Sequence, residues 1–136
     1  HARIVHIVDS VADALRDANV VDSKIGVMGT QATVELGLYQ YRLNKLGWEC
    51  IVPTKLEMDT LVQPAIGLIK ANQFEQAHDM FITVIHSLIA RGAKAVVLGC
   101  TEIPLSVRED TVHDTPIINS IDSLVKSAIK QFNKGT

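Results

Sequence analysis

The chain alternates short, uninterrupted apolar runs with longer segments whose apolar residues recur at helical spacing. Runs of the first kind suit strands buried on both faces, and segments of the second kind suit the helices that cover them. Ile4–Val8 reads as an opening strand, with Asp9 or Ser10 capping a helix that continues to about Ala18. KIGVMG, Lys24–Gly29, reads as a buried strand whose glycines permit close packing and a sharp exit. From Ala32 to Leu46 the apolar positions Val34, Leu38, Tyr41 and Leu46 follow helical spacing, and Gly47 supplies the stop. Trp48–Val52 is a second strand, ended by Pro53.

Glu57–Ala71 predicts a helix with Pro64 inside it, so a kink or a break is expected there. Phe74–Ala90 predicts a longer amphipathic helix stopped at Arg91-Gly92, followed by a third strand over Ala93–Leu98. A short fourth strand, Pro116–Ile118, and a last helix from Ser120 to about Phe132 complete the pattern. The expected fold is α/β, a four-stranded parallel sheet with helices on both faces. Ligands in such sheets gather at the carboxyl ends of the strands. That rule selects three loops: GTQAT (29–33), PTKLEMD (53–59) and GCTEIP (99–104).

Composition narrows the picture only a little. The 136 residues fit one domain, and 47% apolar with 21% charged is an ordinary globular balance. A net charge of −2 offers no basic face for nucleic acid. The apolar runs are too short to cross a bilayer, and no signal peptide is apparent. Two cysteines far apart make no disulfide framework and suit a reducing cytoplasm. The start at His1, running at once into an apolar segment, reads as a piece of a longer chain or a processed product.

The first and third loops share a design: a glycine, a small polar residue, then a helix start. Unpaired N–H groups there favour an anion such as a carboxylate or phosphate, and Thr30, Thr33 and Thr101 add hydroxyl donors. Helix capping by threonine is the competing account. A buried structural cysteine is the commoner fate of the residue, but Cys100 follows the apolar run instead of lying within it, so a thiol pKa lowered by the helix start is expected. Cys50 lies inside a strand and reads as a packing residue. The five histidines show no metal-ligand spacing, and there is no G-x-S-x-G, Walker or dinucleotide glycine pattern. His78 and His86 share a helix face of the kind that is wet or half-buried. By composition alone, Lys70 is a solvated lysine at a helix end.

Taken together, GTQATVELGLYQYRL, IKANQF and KAVVLGCTEIPL resemble the second half of an aspartate/glutamate racemase, most closely the aspartate racemase branch. The resemblance runs from about Lys24 through Leu105. It implies a cofactor-independent enzyme with two similar α/β domains, each giving one cysteine to a cleft between them. Cys100 would then be one acid/base, with Thr33 and Thr101 as donors to the substrate and Thr30 a weaker carry-over. Lys70 would meet the side-chain carboxylate of a dicarboxylic amino acid, and Glu102 would orient or electrostatically influence the thiol.

The same resemblance implies that the first domain and its cysteine are not in this chain, so the chain alone is expected to be inactive. The alternatives are another isomerase or racemase of the superfamily, acting on hydantoins or maleate, and a non-catalytic ligand-binding domain. It assigns residues 1–20 to an interdomain crossover, 21–115 to the second domain, and 116–136 to a final strand and helix that turn towards the first domain. It also implies a cytoplasmic homodimer for the full-length protein. Asn119 and Ser120 stand where the family usually has an acidic residue and a threonine.

Overall fold

The computed structural model describes residues 2–134, with the side chains of residues 7–133. Helix α1 spans Ala2–Asp17, so the strand expected over Ile4–Val8 is helical instead. A short apolar run cannot be told from a buried helical stretch by periodicity, and this one continues the spacing of Val8, Val11, Ala12 and Leu15, all fully buried. Asp9 therefore caps nothing; it lies within α1 and pairs with Arg42 at 3.1 Å. Strand β1 (Lys24–Met28) is where the hydrophobic run places it.

The helix expected from Ala32 to Leu46 is two helices, α2 (Gln31–Leu36) and α3 (Leu38–Lys45). Gly37 divides them in the left-handed region at φ 67°, a conformation that disfavours residues with a Cβ. Strand β2 (Glu49–Ile51) follows. Thr54 and Glu57 then form a capping box that starts α4 (Lys55–Glu57) ahead of the expected start. The break anticipated at Pro64 takes the form of a π-helical turn, Met58–Val62, leading into α5 (Gln63–Lys70). The wider turn accommodates a ring that would otherwise strike the carbonyl one turn back.

Helix α6 (Phe74–Ala90) and strand β3 (Val96–Leu98) come next, then a short α7 (Ile103–Ser106). A two-residue strand β4 (Thr111–Val112) precedes β5 (Thr115–Asn119) and the last helix α8 (Ser120–Lys134). The sheet has five strands in the order β2-β1-β3-β5-β4, not four. Four are parallel, and β4 pairs antiparallel with β5 at the edge, which makes the sheet mixed. Two residues are too few to carry a strand pattern.

Alternation along the strands divides the core in two. Met28, Val96, Leu98 and Ile117 face α5 and α6, where Phe81, Ile85 and Leu88 are fully buried. Ile25, Val27, Val97 and Ile118 face α1 and α3. Gly26 lets α6 lie close, since a Cβ there would stand 3.0 Å from Leu88 Cδ1. Helices α1 and α8 pack against each other over the second face. Among the described residues no helix is long and apolar enough to cross a membrane.

Two histidines of α6 hold the excursion between α7 and β5. His78 Nε2 lies 2.6 Å from Glu109 Oε2, and the His86 and His113 rings sit 4.8 Å apart. The hydrogen bond to Glu109 raises the His78 pKa above 6.5. Burial pushes the Glu109 carboxyl up, but the His78 bond and charge together with backbone N–H groups of Glu109 and Arg108 outweigh it and leave the net value below 4.5. A raised histidine pKa contributes stability below its unfolded value, lost as pH climbs through the folded one; a depressed carboxyl does the reverse. The pair is therefore strongest between about pH 4.5 and 6.5. Denaturant titrations of wild type and His78→Gln should differ most in that window, by up to about 1 kcal/mol for a partly exposed pair, and converge as pH rises further.

Candidate functional site

Strands β1 and β3 run in register, Met28 beside Leu98, and leave the sheet at the same edge. The Gly99 N–H donates to the Met28 carbonyl at 2.7 Å. A Cβ on Gly29 would stand 3.9 Å from the Gly99 carbonyl carbon, and one on Gly99 would meet the Met28 oxygen at 3.1 Å. The first and third loops thus touch backbone to backbone.

In the first loop Thr30 caps α2, its Oγ accepting from the Thr33 N–H at 3.3 Å. The two threonine hydroxyls lie 3.0 Å apart, and Thr33 packs over Gly29. Capping accounts for Thr30 without excluding a ligand, because Thr33 retains an outward-facing part. In the third loop Cys100 takes the corresponding place, its Sγ accepting from the Ile103 N–H at 3.5 Å. Both contacts join residues three apart at the start of a helix, on adjacent strands. Thr101 does not cap α7; its hydroxyl donates to the Glu102 carboxylate.

The thiol does not behave as its address suggests. Burial raises the Cys100 pKa, amides of Ile103 and Glu102 oppose this, and the Glu102 charge adds to the rise. The net shift is upward, contrary to the lowering expected from a helix start. Helix α7 has only four residues, and Pro104 removes one of its first N–H donors, so the field at its start is weak. No lysine or arginine contributes to the balance at the thiol. Cys50 has burial alone acting on it, which pushes it up to about 12, and it packs against the α1–α3 side of the core as expected of a packing residue.

Lys70 ends α5 and is exposed, with no ion pair among the described residues. Helix α5 touches α7, so Lys70 belongs to the same side of the sheet as the cysteine turn. The PTKLEMD loop contributes chiefly the capping box of α4. Asn119 carries a cap of its own, its Oδ1 accepting from the N–H groups of Ile121 at 2.9 Å and Asp122 at 3.2 Å. An aspartate would make the same bonds, so the replacement preserves the turn into α8.

Two residues were not singled out for a role by their motifs. Tyr39 is buried against Gly99, and Ser120 is buried with no hydrogen-bond partner for its Oγ. Tyr39 lies within the YQ of the first motif, and Ser120 drew notice only as a replacement; a partner position across the sheet leaves no local signal. Gln40 Nε2 donates to the Val34 carbonyl across the Gly37 break, and its Oε1 is buried unpartnered. A cleft of about 380 Å³ lies between residues 107–110 and α8, rimmed by Arg108, Asp122 and Lys126, and neither Cys100 nor the threonines line it. Among the described residues no three His, Cys, Asp or Glu side chains converge as a metal site requires.

The thiol balance has a direct consequence. Alkylation of Cys100 followed by peptide mass should show a pH midpoint above the ordinary thiol value of about 8.5. Glu102→Gln, which removes the like charge, should lower that midpoint; an unchanged midpoint would separate Glu102 from the thiol.

The chain is similar to known proteins over most of its length. The model of the Asp/Glu/hydantoin racemase family matches residues 3–128. An uncharacterised protein of Pectobacterium carotovorum, from the pnlA 3′ region, is 26% identical over 133 residues, 96% of this chain and 86% of that relative. Among solved structures, a chain from Yersinia pestis provisionally assigned as an Asp/Glu racemase is 29% identical with a TM-score of 0.72. An aspartate racemase homologue from Pyrococcus horikoshii is 23% identical with a TM-score of 0.79, a likeness of fold. Each comparison covers 92% of this chain and 54% of the solved one, so the chain spans about half the length of those racemase structures. With the family model matched over nearly the whole sequence, the chain belongs to the Asp/Glu/hydantoin racemase family.

Proposed function

We propose that the chain is the second half of a two-domain, cofactor-independent racemase of an acidic amino acid, aspartate or glutamate, with Cys100 as one of two acid/base groups. The observation that carries this reading is the position of Cys100: just past the carboxyl edge of β3, in a loop whose Gly99 bonds to Met28 at the end of β1, where the loop bearing the Thr30–Thr33 hydroxyl pair begins. Racemisation needs one base to take the α-proton and one acid on the opposite face to return another. Cys100 is a thiol at rest, because burial disfavours the charged form, so it begins as the proton donor of such a pair. The carbanion formed by the opposite base takes the proton from Cys100 Sγ, leaving a thiolate there. The Ile103 N–H, already directed at Sγ, stabilises that charge.

Thr33 and Thr101 are the proposed donors to the substrate α-carboxylate, where charge accumulates as the proton leaves. Thr30 fixes Thr33, and Glu102 holds the Thr101 hydroxyl. The Lys70 ammonium, without an ion pair among the described residues, is the proposed partner of the side-chain carboxylate. One cysteine in place supports a half-site, and the half-length match to the solved racemases agrees with that.

The surface of α8 supports the same division. Ile121, Val125, Ile129 and Phe132 lie at helical spacing, and their exposure rises from 39% to 73%. A continuous apolar stripe of this kind is characteristic of a covered surface, and we assign it to the first half of the parent protein.

The test is α-proton exchange of aspartate in deuterated water, followed by NMR. The 136-residue chain alone should show no exchange above its Cys100→Ser variant. Robust exchange by the chain alone would overturn the two-cysteine scheme. In the two-domain protein, Cys100→Ser should slow racemisation by about 10²–10⁴-fold. Lys70→Met there should raise KM for acidic substrates about tenfold or more; indifference would move the substrate towards hydantoins, which the family also includes. Val125→Glu should leave the isolated chain folded while weakening the two-domain protein, read as a lower Tm only in the latter.

A further inference from the structure

Behind the cysteine turn lies a polar contact that the proton-exchange scheme does not use. Tyr39, on α3, is only 6% exposed, and its ring edge lies on Gly99, where a Cβ would stand 3.0 Å from Cε2 and 3.3 Å from Cδ2. Gly99 immediately precedes Cys100, so the ring covers the backbone from which the thiol projects. On the other side, β3 and β5 pair with Leu98 beside Asn119, which brings the next residues, Gly99 and Ser120, alongside each other. Ser120 is 1% exposed, and its hydroxyl has no partner within hydrogen-bonding geometry. It nevertheless stands near enough to the Tyr39 hydroxyl to lower that group's pKa. Three elements distant in sequence thus bring a phenol, a serine hydroxyl and a thiol to one strand end.

We propose that Tyr39 is a positioning residue for Cys100: its phenol O–H faces Ser120 while Cys100 is a thiol, and turns to donate to Sγ when the thiolate forms. The inference rests on Cys100 exchanging protons, as set out above. It answers a physical need of that scheme. A thiolate formed in a half-buried turn has lost much of its water, and a four-residue helix supplies few N–H groups to replace it. A phenol is a strong neutral donor, more acidic than the serine and threonine hydroxyls around it, and a hydrogen bond to an ionised acceptor is about twice as strong as a neutral one. The unpartnered Ser120 hydroxyl gives the phenol a resting place, so the donor is kept without being locked. Tyr39 already senses the cysteine: burial raises its pKa most, Ser120 lowers it, and the Cys100 charge raises it further.

The test uses the 136-residue chain and two reciprocal titrations. In the first, alkylation of Cys100 is followed against pH by peptide mass. Tyr39→Phe, which removes only the hydroxyl, should raise the midpoint by about half to one pH unit, three- to tenfold less thiolate at a given pH below it. An unchanged midpoint in a variant that keeps its circular dichroism spectrum overturns the proposal. In the second, phenolate absorbance of Tyr39 is followed in a Tyr41→Phe background. Cys100→Ser should lower the Tyr39 midpoint, since coupling between two sites is mutual. No change there overturns the proposal as well, and this arm stands even if Tyr39→Phe fails to fold. Neither titration depends on turnover. Coupling found together with no α-proton exchange by the two-domain protein would sink the racemase reading while keeping the Tyr39–Cys100 link. Exchange without coupling would sink only the link.

Discussion

The candidate site depends on one close approach, the contact between the ends of β1 and β3 at Met28–Gly29 and Leu98–Gly99. The 2.7 Å bond from the Gly99 N–H to the Met28 carbonyl extends the ladder one step past the last strand residue. Both glycines are closely covered: Thr33 packs over Gly29, and Tyr39 and the Met28 carbonyl crowd Gly99 more tightly. Because the two backbones touch, a threonine pair and a cysteine that are 67 residues apart at their nearest (Thr33 to Cys100, 100 minus 33) become neighbours. A methyl group on Gly99 would press on the Met28 carbonyl at 3.1 Å and on the Tyr39 ring at 3.0 Å, whereas one on Gly29 would press on Thr33 of its own loop at 3.3 Å.

The cysteine at this edge is governed by a competition. Desolvation favours the thiol, backbone N–H groups favour the thiolate, and the Glu102 carboxylate opposes it. Burial wins because the donors are few and neutral, whereas Cys50 has no donors against it and is pushed up to about 12. A raised pKa leaves less thiolate at neutral pH and makes the thiolate that does form a stronger base. For the proposed role, in which Cys100 alternately gives a proton to carbon and takes one from it, that combination is serviceable, provided donors appear when charge does. The thiol is therefore set by the balance of burial against directed N–H groups, with helix polarity a minor contributor.

Much of the sheet was legible because buried parallel strands leave a coarse signal. The runs at Lys24–Met28 and Val96–Leu98 and the helix Phe74–Ala90 lie where the apolar pattern places them. The misreadings have specific causes. Ile4–Val8 is apolar enough for either a strand or a helix, and it is helical because it continues into α1, whose Val8, Val11, Ala12 and Leu15 are buried. β4 is two residues long and exists only because β5 offers it an edge. The single helix expected over Ala32–Leu46 ignored Gly37, whose left-handed backbone turns α3 so that Tyr39 and Leu43 face the core.

By itself the sequence determined which residues have chemistry to offer and where the chain turns: a cysteine after a strand, threonines after another, a lysine closing a helix. Those are local properties, written in residue type and spacing. The tertiary structure alone decided how they are tuned. Whether Thr30 caps a helix, whether the Cys100 thiol rises or falls, and which hydroxyls stand behind it all depend on burial and on neighbours from other strands. Tyr39 packs on Gly99, and Ser120 follows the strand paired with β3, because β3 lies between β1 and β5 in the sheet. Strand order is a long-range outcome of packing two hydrophobic faces at once, and no short stretch of the chain encodes it.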